Sequence, residues 1–372
     1  MENMNQDVYT SFGSNRGLVL LDKLDELESI IFDFDGTIVD VVNSYNQAIL
    51  NTVKIIFGRA TGKIPPDDII KRAIFTLRSS GGFNNDWDAS YTIIMGLFAG
   101  LPEDALKTIA GDMGTINRDI RSVAVMTNME SCISSLTYIL KYADERGVKS
   151  IDEGFESLYR KKDKLNYLNE LKQKLGYPGG PDKSILSALF EEIFLGKELF
   201  LKVYNREPRL HLSRGLIEEE MVIPDKEAIS YIKRKFNGKI GVASGRPRLA
   251  AERTSGDMMH QFINEKGAIF LDDIVAEFSR RLKESSTAKW PGKPEPFSLI
   301  RSMEKLGVTS SYYVGDSYED LLMAQKAREN GYRVNFIAVY GSSLDPQRTM
   351  KLFTEKRANA IIPTVNELKY II

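Results

Sequence analysis

Two aspartates two residues apart, Asp33 and Asp35, close the apolar run Ile30-Ile31-Phe32 and are followed by Gly36. Side chains two apart in an extended strand point to the same side, so both carboxylates can face one site beyond the strand's carboxyl end. Open α/β sheets place their ligands there. Crowded carboxylates at an apolar strand tip repel each other unless a cation or a shared proton relieves them. An Asp-Gly pair also forms ordinary turns, so this text alone leaves a structural role open. Three further groups share the setting. Ser244, in Ser244-Gly245-Arg246, follows the run Lys239–Ala243 and offers a hydroxyl and nearby backbone N–H groups. These suit phosphate oxygens, and a serine there equally suits a helix N-cap. Lys293, in Gly292-Lys293-Pro294-Glu295-Pro296, precedes a helix and by itself reads as well as a solvated cation. Asp316 follows the run Tyr312-Tyr313-Val314-Gly315, with Asp320 four residues on, and has the alternative reading of a helix cap.

The rest of the composition narrows the chemistry. Lys and Arg number 50 against 51 Asp and Glu, a net charge of −1 that lacks the electrostatic footprint of a nucleic-acid binder. No apolar run reaches the roughly 18 residues of a membrane span, so no membrane partner is expected. The first 17 residues are polar and do not read as a signal peptide. Cys132 is the single cysteine, which excludes an intrachain disulfide and points to a reducing, cytoplasmic compartment. With only His211 and His260 available, a metal would be held by oxygen, which favours Mg²⁺ or a similarly hard cation.

The elements that must position these residues fall into two kinds. A chain of 372 residues exceeds one ordinary core, so two domains are expected. Residues 1–16 read as a loose tail and Leu18–Leu21 as an added edge strand. From Ser44 onward amphipathic helical text takes over, with helices over 44–57, from Pro66 to Ser79, and past Trp87. Long helical stretches follow at 128–145, 151–175 and 183–204, with a break at Gly176-Tyr177-Pro178-Gly179-Gly180. Strand and helix alternate again from Pro224: strands at 239–243, 312–314, 336–340 and 360–362, helices at 225–236, 247–262, 296–306, 319–330 and 365–371. Such alternation argues for a parallel sheet covered by helices, to which the strand before Asp33 belongs. The expected organisation is a discontinuous α/β core of residues 17–43 and 220–372 with an all-helical domain, 44–219, inserted into it.

In order and in text, these pieces resemble the haloacid dehalogenase-like (HAD) superfamily of hydrolases. Asp33-Phe34-Asp35-Gly36-Thr37 is similar to that family's first motif, Ser244 to its second, Lys293 to its third, and Gly315-Asp316 with Asp320 to its fourth. The resemblance implies a Rossmann-like parallel-sheet core with a helical cap, as in phosphoglycolate-phosphatase-like members. Here the cap is enlarged by extra helices over about 101–205. It further implies Asp33 as a nucleophile forming an aspartyl-phosphate, Asp35 as general acid and base, and Thr37, Gly36, Ser244, Gly245 and Lys293 around the phosphoryl oxygens. Mg²⁺ would lie on Asp33, the Asp35 backbone carbonyl and Asp316, with Asp320 positioning Lys293 or metal-bound water. Motif two reads Ser-Gly-Arg-Pro where Thr-Asn is commoner, so Arg246 adds a charge at the site.

The implied activity is a Mg²⁺-dependent phosphatase acting on a small phosphorylated metabolite. A phosphomutase using the same intermediate is the alternative, as is a non-catalytic module that binds such a metabolite. Within the insert, Gly81-Gly82-Phe83-Asn84-Asn85-Asp86-Trp87 gathers amides, a carboxylate and an aromatic at a helix start. Asn84 and Trp87 are therefore candidate contacts for the leaving group, and Arg78 and Arg246 for the phosphate or a second anion. Arg160–Lys164 reads as a solvated helix face. The oligomeric state is left open, a homodimer included.

Overall fold

A computed structural model describes residues 17–83, 85–112, 120–160 and 163–372. The chain divides into two compact units, Met1–Val42 with Glu220–Ile372, and Asn43–Glu219. Among its described residues the first has nine strands: β1 (Val19–Leu20), β2 (Ser29–Phe32), β3 (Val39–Asp40), β4 (Met221–Val222), β5 (Ile240–Ala243), β6 (Ala268–Ile269), β7 (Ser310–Gly315), β8 (Arg333–Val339) and β9 (Ala360–Ile362). Seven of them form one sheet in the order β1-β9-β8-β7-β2-β5-β6, parallel throughout except for β1. The central strands β2, β5 and β7 are buried along their whole length, which explains why they read as continuous apolar runs without alternation. Ile30 is in register with Ile240 on one side and Tyr312 on the other. The residues that follow β2, β5 and β7 therefore emerge side by side at one edge of the sheet.

One core cluster joins Ile31, Tyr313, Phe336 and Ile361 from the sheet with Leu299, Met303 and Leu321 from the helices Phe297–Leu306 and Tyr318–Glu329. Each fully buried large side chain of this kind contributes roughly 1.5–3 kcal/mol. The remaining strands, β3 and β4, make a separate antiparallel ribbon, with Val39 opposite Val222 and Asp40 opposite Met221. The chain thus leaves this unit and returns to it along one paired ribbon.

The unit Asn43–Glu219 contains no strand among its described residues. Its helices Tyr45–Thr61, Asp86–Phe98 and Ile185–Tyr204 pack on one another, and Tyr45 stacks on Phe194 with ring centroids 4.2 Å apart. The long helix Ile185–Tyr204 kinks at Gly196, whose φ of 71° is open to glycine at little cost. Two half-buried aspartates of this unit each have their own partners. Asp88 accepts a hydrogen bond from the Tyr177 hydroxyl, and Asp152 accepts one of 3.0 Å from Tyr91 and pairs with Lys172 at 2.5 Å.

Several expectations of local structure need correction. The stretches 128–145 and 151–175 are not single helices but Met129–Ile139 with a 3₁₀ turn, then Val148–Tyr159 and Asp163–Leu175. The helix expected over 247–262 breaks at Gly256, with φ 51°, into Arg248–Ser255 and Asp257–Phe262. The closing helix is 3₁₀ over Val365–Tyr370. The first helix of the insert runs past Gly58 to Thr61 and is capped by Gly62 in the left-handed conformation. Strand β6 with the helix Leu271–Glu284, the helix Pro346–Glu355 and the ribbon β3–β4 were not expected; two-residue strands are too short to carry a periodicity. Residues 1–16, Lys161 and Lys162 lie outside the described residues.

Burial pushes the Asp88 carboxyl up to about 6, partly offset by the Tyr177 hydrogen bond. A carboxyl raised on folding binds its proton more tightly in the native state, so its stabilising contribution is complete below about pH 4 and is lost as pH rises through about 6. Asp88→Asn keeps an acceptor for Tyr177 but cannot titrate. Its stability, followed by urea unfolding from pH 4 to 7, is expected to fall less steeply with pH than that of the wild type, and to be higher at pH 7. A slope identical to that of the wild type would contradict this.

Candidate active site

Asp33 follows β2, and its N–H continues the ladder by donating to the Val314 carbonyl at 2.8 Å. A tight turn comes next, closed by Ile38 N–H and Val39 N–H on the Phe34 carbonyl and by Gly36 N–H on the Val39 carbonyl. Gly36 has φ 71°, and a Cβ there would collide with the Asp316 carboxylate. The glycine is needed both for the turn and for the close approach of that carboxylate. Asp316 follows β7 directly, and Ser244 follows β5. The sheet order therefore brings the ends of motifs one, two and four together.

Lys293 enters this site with a side chain only 4% exposed. Its Nζ lies 2.5 Å from Asp33 Oδ1 and 2.7 Å from Asp320 Oδ1. Burial by itself would lower the ammonium's pKa, but Asp320 and Asp33 outweigh it and hold Lys293 above its ordinary value. Asp33 is shifted upward, chiefly by burial; Lys293 opposes this, while Asp320, Asp316 and Asp35 add to it. One ammonium thus faces a group of carboxylates that it cannot neutralise.

Asp33, Asp316 and Asp320 each offer an oxygen within 4.8 Å of the others. Asp320 is already saturated: Oδ1 takes Tyr313 Oη at 2.6 Å and Lys293, and Oδ2 takes the Ser317 N–H at 3.0 Å and the Ser317 hydroxyl at 2.7 Å. Asp33 and Asp316 are accordingly the carboxylates that fit a cation, with Asp320 as an orienting group behind Lys293. An all-oxygen donor set suits a hard divalent ion.

The alternative readings as helix caps fail at two positions. Pro247, not Ser244, is the N-cap of the helix Arg248–Ser255, and the Ser244 hydroxyl instead accepts the Arg246 N–H at 3.2 Å. Ser317, not Asp316, caps the helix Tyr318–Glu329 in a capping box whose other member is Asp320. Thr37 is fully buried, and among the described residues its Oγ1 has no hydrogen-bond partner. A buried unpaired hydroxyl is costly and suits a group that binds ligand oxygen. Gly245 is exposed, and a Cβ added there would meet nothing within 4 Å.

Arg246 departs from expectation. In place of an open phosphate contact, its Nη1 lies 2.5 Å from Asp35 Oδ1 and its Nη2 bonds Glu220 Oε2. Both terminal nitrogens face carboxylates, which attract a guanidinium bidentately. Trp87 and Arg78 belong to the helical unit, where Trp87 Nε1 donates to Glu191 Oε1 at 2.9 Å and Arg78 pairs with Asp86 at 2.7 Å. Asn84 lies outside the described residues. Sequence reasoning missed Tyr313, which read as plain strand core, and Glu220, hidden in the acidic run Glu218-Glu219-Glu220.

A parallel sheet whose adjacent strand ends carry Asp33 and Asp316, met by a buried lysine from the segment before the helix Phe297–Leu306, is the arrangement of an α/β enzyme site. A family model of haloacid dehalogenase-like hydrolases matches residues 27–328, and the chain belongs to that family. No curated protein matches the sequence. Among solved structures, the Northeast Structural Genomics Consortium target ZR25 aligns with a TM-score of 0.60 at 16% identity, covering 92% of this chain and 98% of that one. Phosphatase Tt82 from Thermococcus thioreducens aligns with a TM-score of 0.48 at 20% identity, covering 87% of this chain and 98% of that chain.

Gly36→Ala forces a side chain into a left-handed conformation, which costs about 1–2 kcal/mol, before the clash with Asp316 is counted. Its Tm by calorimetry is expected to fall by roughly 2–8 °C. Gly245→Ala, where a Cβ meets nothing, is expected to leave Tm unchanged.

Proposed function

We propose that the chain is a Mg²⁺-dependent phosphatase that hydrolyses a small phosphorylated metabolite through an aspartyl-phosphate on Asp33. The observation that carries this reading is the placing of Lys293 between Asp33 and Asp320, with Asp316 beside them. A carboxylate held against an ammonium at the open edge of a parallel sheet is a nucleophile positioned for an electrophile that brings its own negative charge. A phosphoryl group fits that description.

Asp33 attacks phosphorus as the bond to the leaving oxygen breaks. Asp35 gives that oxygen a proton, then takes one from the water that hydrolyses the acyl phosphate. Lys293, Thr37 and Ser244 hold the phosphoryl oxygens, over which charge spreads during transfer. The cation, held by Asp33, Asp316 and the Asp35 carbonyl, would shield the approach of one anion to another. Tyr313 and Ser317 keep Asp320, and through it Lys293, in place. The helical unit serves as the cap that selects the substrate, and the protein works in the cytoplasm without nucleic-acid or membrane partners.

Phosphate release with Mg²⁺ across a panel of phosphorylated metabolites tests this. Release is expected for the wild type, to vanish with EDTA and in Asp33→Asn, and to fall by about 10²- to 10⁴-fold in Asp35→Asn. A phosphorylated Asp33 is expected by mass spectrometry after rapid acid quench. Turnover that survives in Asp33→Asn would rule the mechanism out.

A further inference from the structure

A second buried ion pair adjoins the site. The Arg246 and Glu220 side chains are both fully buried, and Arg246 Nη2 bonds Glu220 Oε2 and, at 3.2 Å, Thr254 Oγ1. Thr254 in turn donates to Glu220 Oε2 at 2.6 Å, and the guanidinium lies 5.4 Å from the centre of the Phe34 ring. Burying two charges gains little stability over an apolar pair of the same size, so the geometry such a pair imposes is its more informative property. A guanidinium is a rigid planar fork. With one nitrogen fixed by Glu220 and Thr254, the other has a set direction, and Asp35 Oδ1 lies along it.

The position of Glu220 adds to this. It directly precedes β4, whose Met221 pairs with Asp40 of β3, and β3 closes the Asp35 turn through the Gly36 N–H on Val39. The return segment therefore holds Asp35 twice, by backbone through the ribbon and by side chain through Arg246.

We infer that Glu220, acting through Arg246, is a positioning residue for Asp35 that fixes the direction in which its carboxyl meets the leaving oxygen. This rests on the reading of Asp35 as proton donor. In that step the bond from phosphorus to the leaving oxygen breaks, the bond to Asp33 Oδ forms, and the Asp35 proton passes to the leaving oxygen. A leaving group that departs without a proton has no need of Glu220.

Phenyl phosphate and p-nitrophenyl phosphate differ little in shape, but phenol, with a pKa of about 10, needs protonation far more than p-nitrophenol does. With Mg²⁺, Glu220→Gln is expected to lose about 10- to 100-fold in kcat on phenyl phosphate and less than about threefold on p-nitrophenyl phosphate, with KM little changed. Thr254→Val, which removes the hydroxyl that steadies Glu220, is expected to show the same asymmetry more weakly, and decides the matter should Glu220→Gln not fold. Equal losses on both substrates, or none on either, would overturn the inference. Asp35→Asn in the same assay tests the parent reading: if it shows no asymmetry, the proton-donor role fails and the inference with it. If Asp35→Asn is asymmetric and Glu220→Gln is not, only the inference fails.

Discussion

The structure depends on a charge imbalance held in a dry place. Lys293 is one ammonium at the tips of three adjacent strands, faced by Asp33 and Asp320 at hydrogen-bond distance and by Asp316 beside them. Such a group is stable only if each charge has partners and each partner is held still. Much of the surrounding structure serves that need. The parallel order β7-β2-β5 places the strand ends together, Gly36 lets the Asp316 carboxylate approach, and Tyr313 with the Ser317 cap saturates Asp320. What remains is a deficit of positive charge around Asp33, the electrostatic condition that suits a bound cation.

Much of this was legible in the sequence because strand ends are legible. A run such as Ile30-Ile31-Phe32 ending in acids announces a buried parallel strand with its chemistry at the tip, and the same text recurs before Ser244 and Asp316. The expected family is borne out by the match over residues 27–328, and the expected mostly parallel sheet by the strand pairing. The roles of the individual side chains stand as proposals. Reading failed where structure is made by partners far apart in sequence. β3 and β4 are two residues each and exist only because Val39 meets Val222 across the helical insert. Arg246 looked like a phosphate ligand because sequence cannot show that Glu220, 26 residues earlier, already holds one of its nitrogens. Tyr313 looked like core because its hydroxyl partner is a carboxylate on the following helix.

The helices of the insert were legible as amphipathic text but not in their breaks. Gly196 in the insert and Gly256 in the α/β unit each interrupt a helical run, and both have positive φ. What separates them is packing: a Cβ at Gly196 would meet the Gly215 backbone at 2.5 Å, whereas one at Gly256 would meet nothing. Local text reports the freedom of a glycine, and only the neighbours decide how it is used.

The ribbon β3–β4 has a consequence for how the chain tolerates change. Because exit and return are zipped together at their base, the sheet sees the insert as a loop whose two ends are already joined. The entropy of closing such a loop rises only with the logarithm of its length, by about 0.6 kcal/mol for each doubling. Helices can therefore be added to or trimmed from the stretch between Asn43 and Glu219 at little thermodynamic cost to the catalytic sheet. The ribbon makes the insert and the sheet separately variable parts of one polypeptide.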